Sequence, residues 1–227
     1  MKEQFRLLAD PEGMHTVFLR RAVHEAFGTW ASGSLEHSVD FGCGNCPFQR
    51  EIDRISRKVT TVDIGDNPLA TMRIVPGERL PLDDRSADLV VSFQVLEHVR
   101  DYVGYLNECA RICRPGGWLL LSVPSVWPFH PHPEDYRRWM LPGLQYDLAQ
   151  AGFDVEQHWP ILNAVSTVFQ YLLSVCRYGA RSRAPTRVLA RCLALALNPL
   201  ILITERLFSS SSRFGGGNYL VKARRRS

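Results

Sequence analysis

Two hydrophobic periods alternate along most of this chain. Met14, Val17, Phe18, Ala22, Val23, Ala26, Phe27 and Trp30 recur every three or four residues, which predicts an amphipathic helix. A short apolar-rich run follows at residues 39–41, and Phe48, Ile52 and Ile55 return to helical spacing. Residues 58–64 (KVTTVDI) are β-branched and read as a second strand, residues 73–75 as a short third and residues 87–93 (ADLVVSF) as a buried fourth. Residues 94–98 lead into a helix whose stripe is Tyr102, Val103, Leu106, Cys109, Ala110 and Cys113, stopped by Pro115-Gly116-Gly117. Residues 118–123 (WLLLSV) run continuously apolar except for Ser122, as parallel strands do. A helix over 141–152, closed by glycine, and a strand over 153–159 complete the alternation. Strands alternating with helices predict an α/β fold, a mostly parallel sheet covered on both faces.

The last quarter departs from this rhythm. Residues 161–176 are almost wholly apolar, and residues 188–203 are apolar apart from Arg191, Asn198 and Pro199. Each run is shorter than the roughly 20 residues of a spanning helix, and the second is expected to break at Asn198-Pro199. Residues 161–217 are thus expected to form a helical insertion, as an acceptor lid, a bilayer-surface element or a homodimer interface. Residues 1–160 and 218–227 make the main domain. Residues 209–217 (SSSSRFGGG) read as a flexible linker and residues 218–223 (NYLVKA) as a final strand.

Composition narrows the class. The 227 residues are 45% hydrophobic, enough for a sizeable core. The net charge of +4 is concentrated late, in Arg177, Arg181, Arg183, Arg187 and Arg191 and in Lys222, Arg224, Arg225 and Arg226, which read as solvated faces and a soluble tail, or as an attraction to an anionic surface. Basic and aromatic residues are not interleaved over a face, which argues against a nucleic-acid partner. The N-terminus lacks the apolar core of a signal peptide, so a cytoplasmic setting is expected, at the inner face of the membrane if the apolar region meets lipid. Cys43 and Cys46 form a CxxC, but no convincing second ligand pair accompanies it, and both read as small residues filling a tight turn.

That turn lies in SVDFGCGNC, residues 38–46. An acid, Asp40, precedes two glycines, Gly42 and Gly44, and a helix follows. The glycines admit a ligand close to the backbone, and the turn and helix start are expected to present free N–H groups. Asp63 ends the second strand, where a carboxylate can take both hydroxyls of a ribose. Together these point to a nucleoside.

The pieces VDFGCGNC, TVDI, ERLPLDDRSADLVVSFQVLEHV and ECARICRPGGWLLLSVP, in this order, resemble the class I S-adenosylmethionine-dependent methyltransferases, specifically the small-molecule type 11 group. A nicotinamide-binding fold would instead prefer a third glycine. The resemblance implies a Rossmann-like seven-stranded sheet with the last strand antiparallel, and S-adenosyl-L-methionine as cofactor. It implies that Asp40 organises the turn and helps hold the methionyl ammonium, that Gly42 and Gly44 let backbone approach the ligand, that Asp63 takes the ribose with Ile64 on the adenine, and that Phe93 and Gln94 flank the methionyl end. The family often has glycine where Cys46 stands and an acid near Pro76; adenine is then read by backbone or by Glu78.

If the acceptor is a hydroxyl, a base is needed, and His130 and His132 lie in the proline-rich loop after the fifth strand, the candidates for that role. The HxHPEDYRR segment resembles a loop of enzymes encoded among polysaccharide and cell-surface genes, which implies a saccharide or lipid-linked acceptor and gives Asp135, Tyr136 and Arg137 as substrate contacts. Glu97-His98 resembles part of an ExxEH run that binds a divalent metal in some quinone-precursor O-methyltransferases. Gln94 holds the first position, leaving too few donors, and no metal is assigned. The expected activity is O-methylation of a small molecule. The rival reading is an inactive, cofactor-binding, membrane-associated scaffold.

Overall fold

A computed structural model describes residues 2–179, 184–208 and 216–227. Arg181 and Arg183 of the arginine cluster and residues 209–215 of the expected linker lie outside the described residues.

The chain begins with α1 (Lys2–Ala9) and α2 (Gly13–Phe27). It continues through β1 (Leu35–Phe41), α3 (Gln49–Ile55), β2 (Ser56–Asp63), β3 (Met72–Arg73) and β4 (Ala87–Phe93). A single 3-10 turn, Leu96–His98, leads to α4 (Tyr102–Ile112), β5 (Cys113–Pro124), α5 (Leu141–Gln150) and β6 (Phe153–Ile161). Two long helices, α6 (Ala164–Gly179) and α7 (Ala184–Leu207), precede β7 (Asn218–Arg225). The seven strands form one sheet in the order β3-β2-β1-β4-β5-β7-β6, with β7 antiparallel to both neighbours. The order reverses between β1 and β4, both parallel to their neighbours, and that switch point is where open α/β sheets bind ligands, beyond the carboxyl ends of the strands.

Strand periodicity explains the two cores. Val90, Leu119 and Leu121 face α4 and α5 in one cluster, whereas Leu89, Val91 and Leu120 pack with α2 and α3 in the other. Both faces are thus apolar, which is why β4 and β5 read as near-continuous hydrophobic runs.

Three expectations are corrected. α7 does not break at Asn198-Pro199; it runs 24 residues through Pro199, and Pro185–Leu207 is long and apolar enough by length and composition to cross a membrane. Pro199 removes one backbone donor, and the turn is held from outside: buried Asn198 donates from Nδ2 to the carbonyls of Leu8 (2.8 Å) and Asp10 (2.9 Å), while Ile201 is wholly buried. The basic residues near the C-terminus are not a soluble tail. Lys222 is 7% exposed, donates to Thr29 Oγ1 and lies 4.1 Å from the Trp30 ring centre, and Arg225 donates to the carbonyls of Ala110 and Gly152. The third correction concerns the glycine turn.

α6 carries an inverted pattern, and α7 exposes apolar residues as well as burying them. The buried face of α6 is Ser166, Thr167, Gln170, Leu173 and Ser174, whereas Val165, Val168, Tyr171, Leu172 and Val175 face outward. Ser166 Oγ lies 2.7 Å from Thr204 Oγ1, and Gln170 Nε2 donates to the carbonyl of Pro11, while Gln170 Oε1 is buried without a partner. α7 buries Ala190, Ala194, Asn198 and Ile201 and exposes Val188, Leu189, Leu195, Leu200, Leu202, Ile203 and Leu207.

Candidate functional site

At the carboxyl end of β1 the chain must turn within a few residues. Gly42 takes a φ of +91°, and a Cβ there would come within 2.5 Å of Val95 Cγ2, so only glycine fits. Gly44 has a φ of +52° and open space where a Cβ would stand. The turn's amides are not free. Gly42 and Cys43 donate to the carbonyl of Val62 (2.8 and 3.0 Å), and Gly44 donates to Asp63 Oδ2 (3.0 Å). These bonds lock the end of β1 to the end of β2. The turn offers room and carbonyl oxygens, while its N–H groups hold the cradle in shape.

Asp63 is the centre of that cradle. Oδ1 accepts from the Ile64 amide (2.8 Å), and Oδ2 accepts from Gly44 and from Asn67 Nδ2 (2.5 Å). Asn67 also donates to the carbonyl of Gly44 and accepts from the Leu69 amide, so one side chain ties the two loops together. It was not singled out in the sequence; the Asn67-Pro68 pair after a strand end was the only signal. Ile64 stands exposed beside Asp63.

Asp40 is 3% exposed, and burial, reinforced by the charge of Asp63, pushes its carboxyl up to about 7. Cys43 is buried beside it, and burial pushes its thiol far up, so it keeps its proton. Phe93 packs edge-on against Phe48 (5.0 Å) and Phe27 (6.3 Å). Gln94 adopts a φ of +55°, its amide donates to the carbonyl of Ser122 (3.0 Å), and its Oε1 accepts from Asn218 Nδ2 (2.8 Å). Asn218, from the distant β7, thus orients the first residue beyond β4. Glu78 is exposed on the loop after β3.

A lid, residues 125–140, covers the next stretch of the chain. The Tyr136 amide donates to the carbonyl of Glu97 (2.8 Å), and His98 Nδ1 donates to the carbonyl of Glu134 (2.5 Å). Arg137 Nη1 donates to the carbonyls of Val99 and Arg100, with its guanidinium 4.6 Å from the Tyr102 ring centre. Asp135 accepts from the His130 amide and is paired with Arg138. Asp135 and Arg137 therefore hold the lid together and to the body, and Tyr136 is the exposed member of that trio. His132 is exposed.

His130 is drawn inward. Its Nδ1 is 3.1 Å from the Pro128 carbonyl and 3.2 Å from Asp135 Oδ2, and its ring stacks at 6.2 Å on Tyr178 of α6 and meets His98 edge-on at 5.1 Å. Burial lowers its pKa, against the opposing pull of Asp135. Glu97 is wholly buried and burial pushes it up to about 8. His15 on α2 completes this wall; its ring lies 4.5 Å from Trp127, and burial, helped by His130, lowers it to about 4. In the sequence His15 stands next to Met14 on an apolar helical stripe, with no local signal that it faces the lid.

Residues 39–121 match the family model described as a methyltransferase domain. A probable S-adenosylmethionine-dependent methyltransferase of Mycolicibacterium smegmatis is 32% identical over 157 residues, 63% of this chain and 58% of that protein. A ubiquinone biosynthesis O-methyltransferase of Sodalis glossinidius is 27% identical over 139 residues, 52% of this chain and 56% of that protein. The chain spans about half the length of these curated relatives. Among solved structures, an S-adenosylmethionine-dependent methyltransferase from Mesorhizobium loti covers 88% of this chain, and 96% of that structure is matched, with a TM-score of 0.55 at 18% identity, a likeness of fold. The glycine turn, the acid closing β2, the antiparallel β7 and these matches agree: residues 39–121 form a methyltransferase domain, and the chain is similar to the class I S-adenosylmethionine-dependent methyltransferases.

Proposed function

We propose that this protein transfers the methyl group of S-adenosyl-L-methionine to a hydroxyl of a small, lipid-linked or saccharide acceptor. The observation that carries the cofactor half is the preorganised Asp63, whose carboxylate is fixed by Gly44, Ile64 and Asn67 beside the room left at Gly44. In this reading Asp63 accepts from the ribose hydroxyls, Ile64 covers the adenine, Asp40 meets the methionyl ammonium, and Phe93 and Gln94 border the sulfonium end. Methyl transfer is an in-line displacement on an already activated carbon, so placement supplies most of the rate. A hydroxyl acceptor must also lose its proton. Burial lowers the pKa of His130 and so favours its neutral form, and Nδ1 lies closest to the Pro128 carbonyl, so its Nε2 lone pair is the group assigned to that side of the reaction.

The lipid-linked form of the acceptor is favoured by the exposed apolar faces of α6 and α7. An exposed apolar surface on both helices suits the interface of an anionic bilayer, with Arg187 and Arg191 exposed on α7 and Tyr178 of α6 linking the hairpin to His130. The test is transfer of labelled methyl from S-adenosylmethionine to extracted lipid-linked and free glycans, alongside pelleting with vesicles of anionic lipid. Label in the lipid fraction and pelleting lost in Val168→Asp/Leu172→Asp support the reading. Label only in free glycans, or a dimer that dissociates in that variant without any pelleting, removes the lipid. Cofactor binding with no transfer to any fraction leaves the scaffold reading.

A further inference from the structure

The Glu97 carboxyl lies behind the lid, just after β4. It is 0% exposed, and neither oxygen has a hydrogen-bond partner. A buried carboxyl without partners is expensive, and such a group calls for a specific cause. What surrounds it is not apolar packing alone. Glu97, His98 and His130 each bring one donor atom within 4.8 Å of the others, and His98 Nε2 is 3.7 Å from Glu97 Oε1. We propose that these three residues bind a divalent transition-metal ion of the zinc type.

The two imidazoles are set for coordination in the same way. His98 Nδ1 faces the Glu134 carbonyl, which can only accept, so this nitrogen carries the hydrogen and Nε2 the lone pair. His130 Nδ1 lies 3.1 Å from the Pro128 carbonyl and 3.2 Å from Asp135; Arg138 Nη2 is 3.3 Å away but makes its shorter bonds to the Pro128 carbonyl (2.9 Å) and Asp135 (2.6 Å), which leaves the hydrogen on Nδ1 and the lone pair on Nε2. A ring nitrogen held by a carbonyl or carboxylate while the other is left as a lone pair is the outer arrangement of metal-ligating histidines. Two imidazoles and one carboxylate favour zinc or its neighbours over magnesium or calcium, and three protein donors leave a tetrahedral ion one open position. The sequence presents only two of the donors together; the lid delivers the third across 32 positions, which is why Glu97-His98 read alone was too little. Use of the ion on an acceptor hydroxyl, as a Lewis acid in place of His130 as direct base, rests on the methyl-transfer reading. Its binding does not.

The experiment is a Co2+ titration of chelator-stripped full-length protein, followed by its visible d–d absorption, with Zn2+ and Mg2+ as competitors and with S-adenosylhomocysteine binding measured separately on the metal-free protein. The expected result is one Co2+ per chain, displaced by Zn2+ and not by Mg2+. Binding should fall by about a hundredfold or more in His130→Ala and in the shape-conserving Glu97→Gln, and persist in His158→Ala, a change at an exposed histidine elsewhere. Near-ultraviolet circular dichroism identifies any variant that fails to fold, and His130→Ala, on the lid, then decides alone. Absence of Co2+ uptake, uptake equal in His130→Ala, or a thiolate charge-transfer band marking Cys43 and Cys46 would each overturn the site. Failure to bind S-adenosylhomocysteine would count against the methyl-transfer reading and leave the metal result to stand by itself.

Discussion

Asp40 sits at the join of stability and binding, and replacing it by Asn should make the ligand-free protein more stable as the pH rises. A carboxyl that ionises at about 7 in the folded chain and at 3.8 when free binds its proton more tightly in the fold. Below about pH 3 both states are protonated and nothing is lost. Between those values the unfolded chain ionises first and stability falls; above about 7 the whole penalty is present, on the order of 4 kcal/mol. Because the group is 3% exposed, solvent screens little of this. Asn has nearly the same shape and no proton to lose. Urea unfolding at about pH 5 and about pH 8 should therefore show wild type losing roughly 2–3 kcal/mol relative to Asp40→Asn across that interval. Saturating S-adenosylhomocysteine, whose ammonium would compensate the charge, should flatten the wild-type profile and leave the variant unchanged. Parallel profiles in the two ligand-free proteins would mean that Asp40 is an ordinary ionised carboxylate, and the burial argument would fail.

Other consequences are open to measurement. Asp63→Asn should weaken S-adenosylhomocysteine about tenfold to a hundredfold, one charge-assisted hydrogen-bonding group, by calorimetry. Gly42→Ala should cost roughly 2–4 kcal/mol in thermal or urea unfolding, from the clash with Val95 and the positive φ, and adding Val95→Ala should recover only the clash. Arg111 holds the carbonyls of Leu80 and Leu82 and pairs with Glu108 and Asp84; Arg111→Met should lose about 2–4 kcal/mol, read as a lower urea midpoint with an unchanged slope.

The sheet was legible because both its faces are buried, so strands such as β4 and β5 announce themselves as apolar runs and the helices between them carry their own period. The cofactor side was legible for a related reason: glycine positions, and an acid at a strand end, are imposed by local backbone geometry, and Gly42 against Val95 shows the constraint. What local reasoning missed depends on distant segments meeting. Asn67 bridges two loops, Asn218 reaches Gln94 across 124 positions, and His130 comes to Glu97 only because Arg137 and the Tyr136 amide pin the lid. The turn's amides were expected to be free because a glycine turn suggests it; the Val62 carbonyl and Asp63 claim them. Pro199 was expected to end α7 because proline removes a donor, and the Asn198 contacts to the start of the chain supply what that rule leaves out.

The central claim is that the cradle around Asp63 holds S-adenosylmethionine. Calorimetric titration of the purified chain with S-adenosylhomocysteine, beside the same titration with NADH and with Asp63→Ala, tests it most directly. The account predicts saturable one-to-one binding of S-adenosylhomocysteine by the wild type, its loss in Asp63→Ala, and no heat from NADH. Binding of NADH, or S-adenosylhomocysteine binding that is indifferent to Asp63, would contradict it.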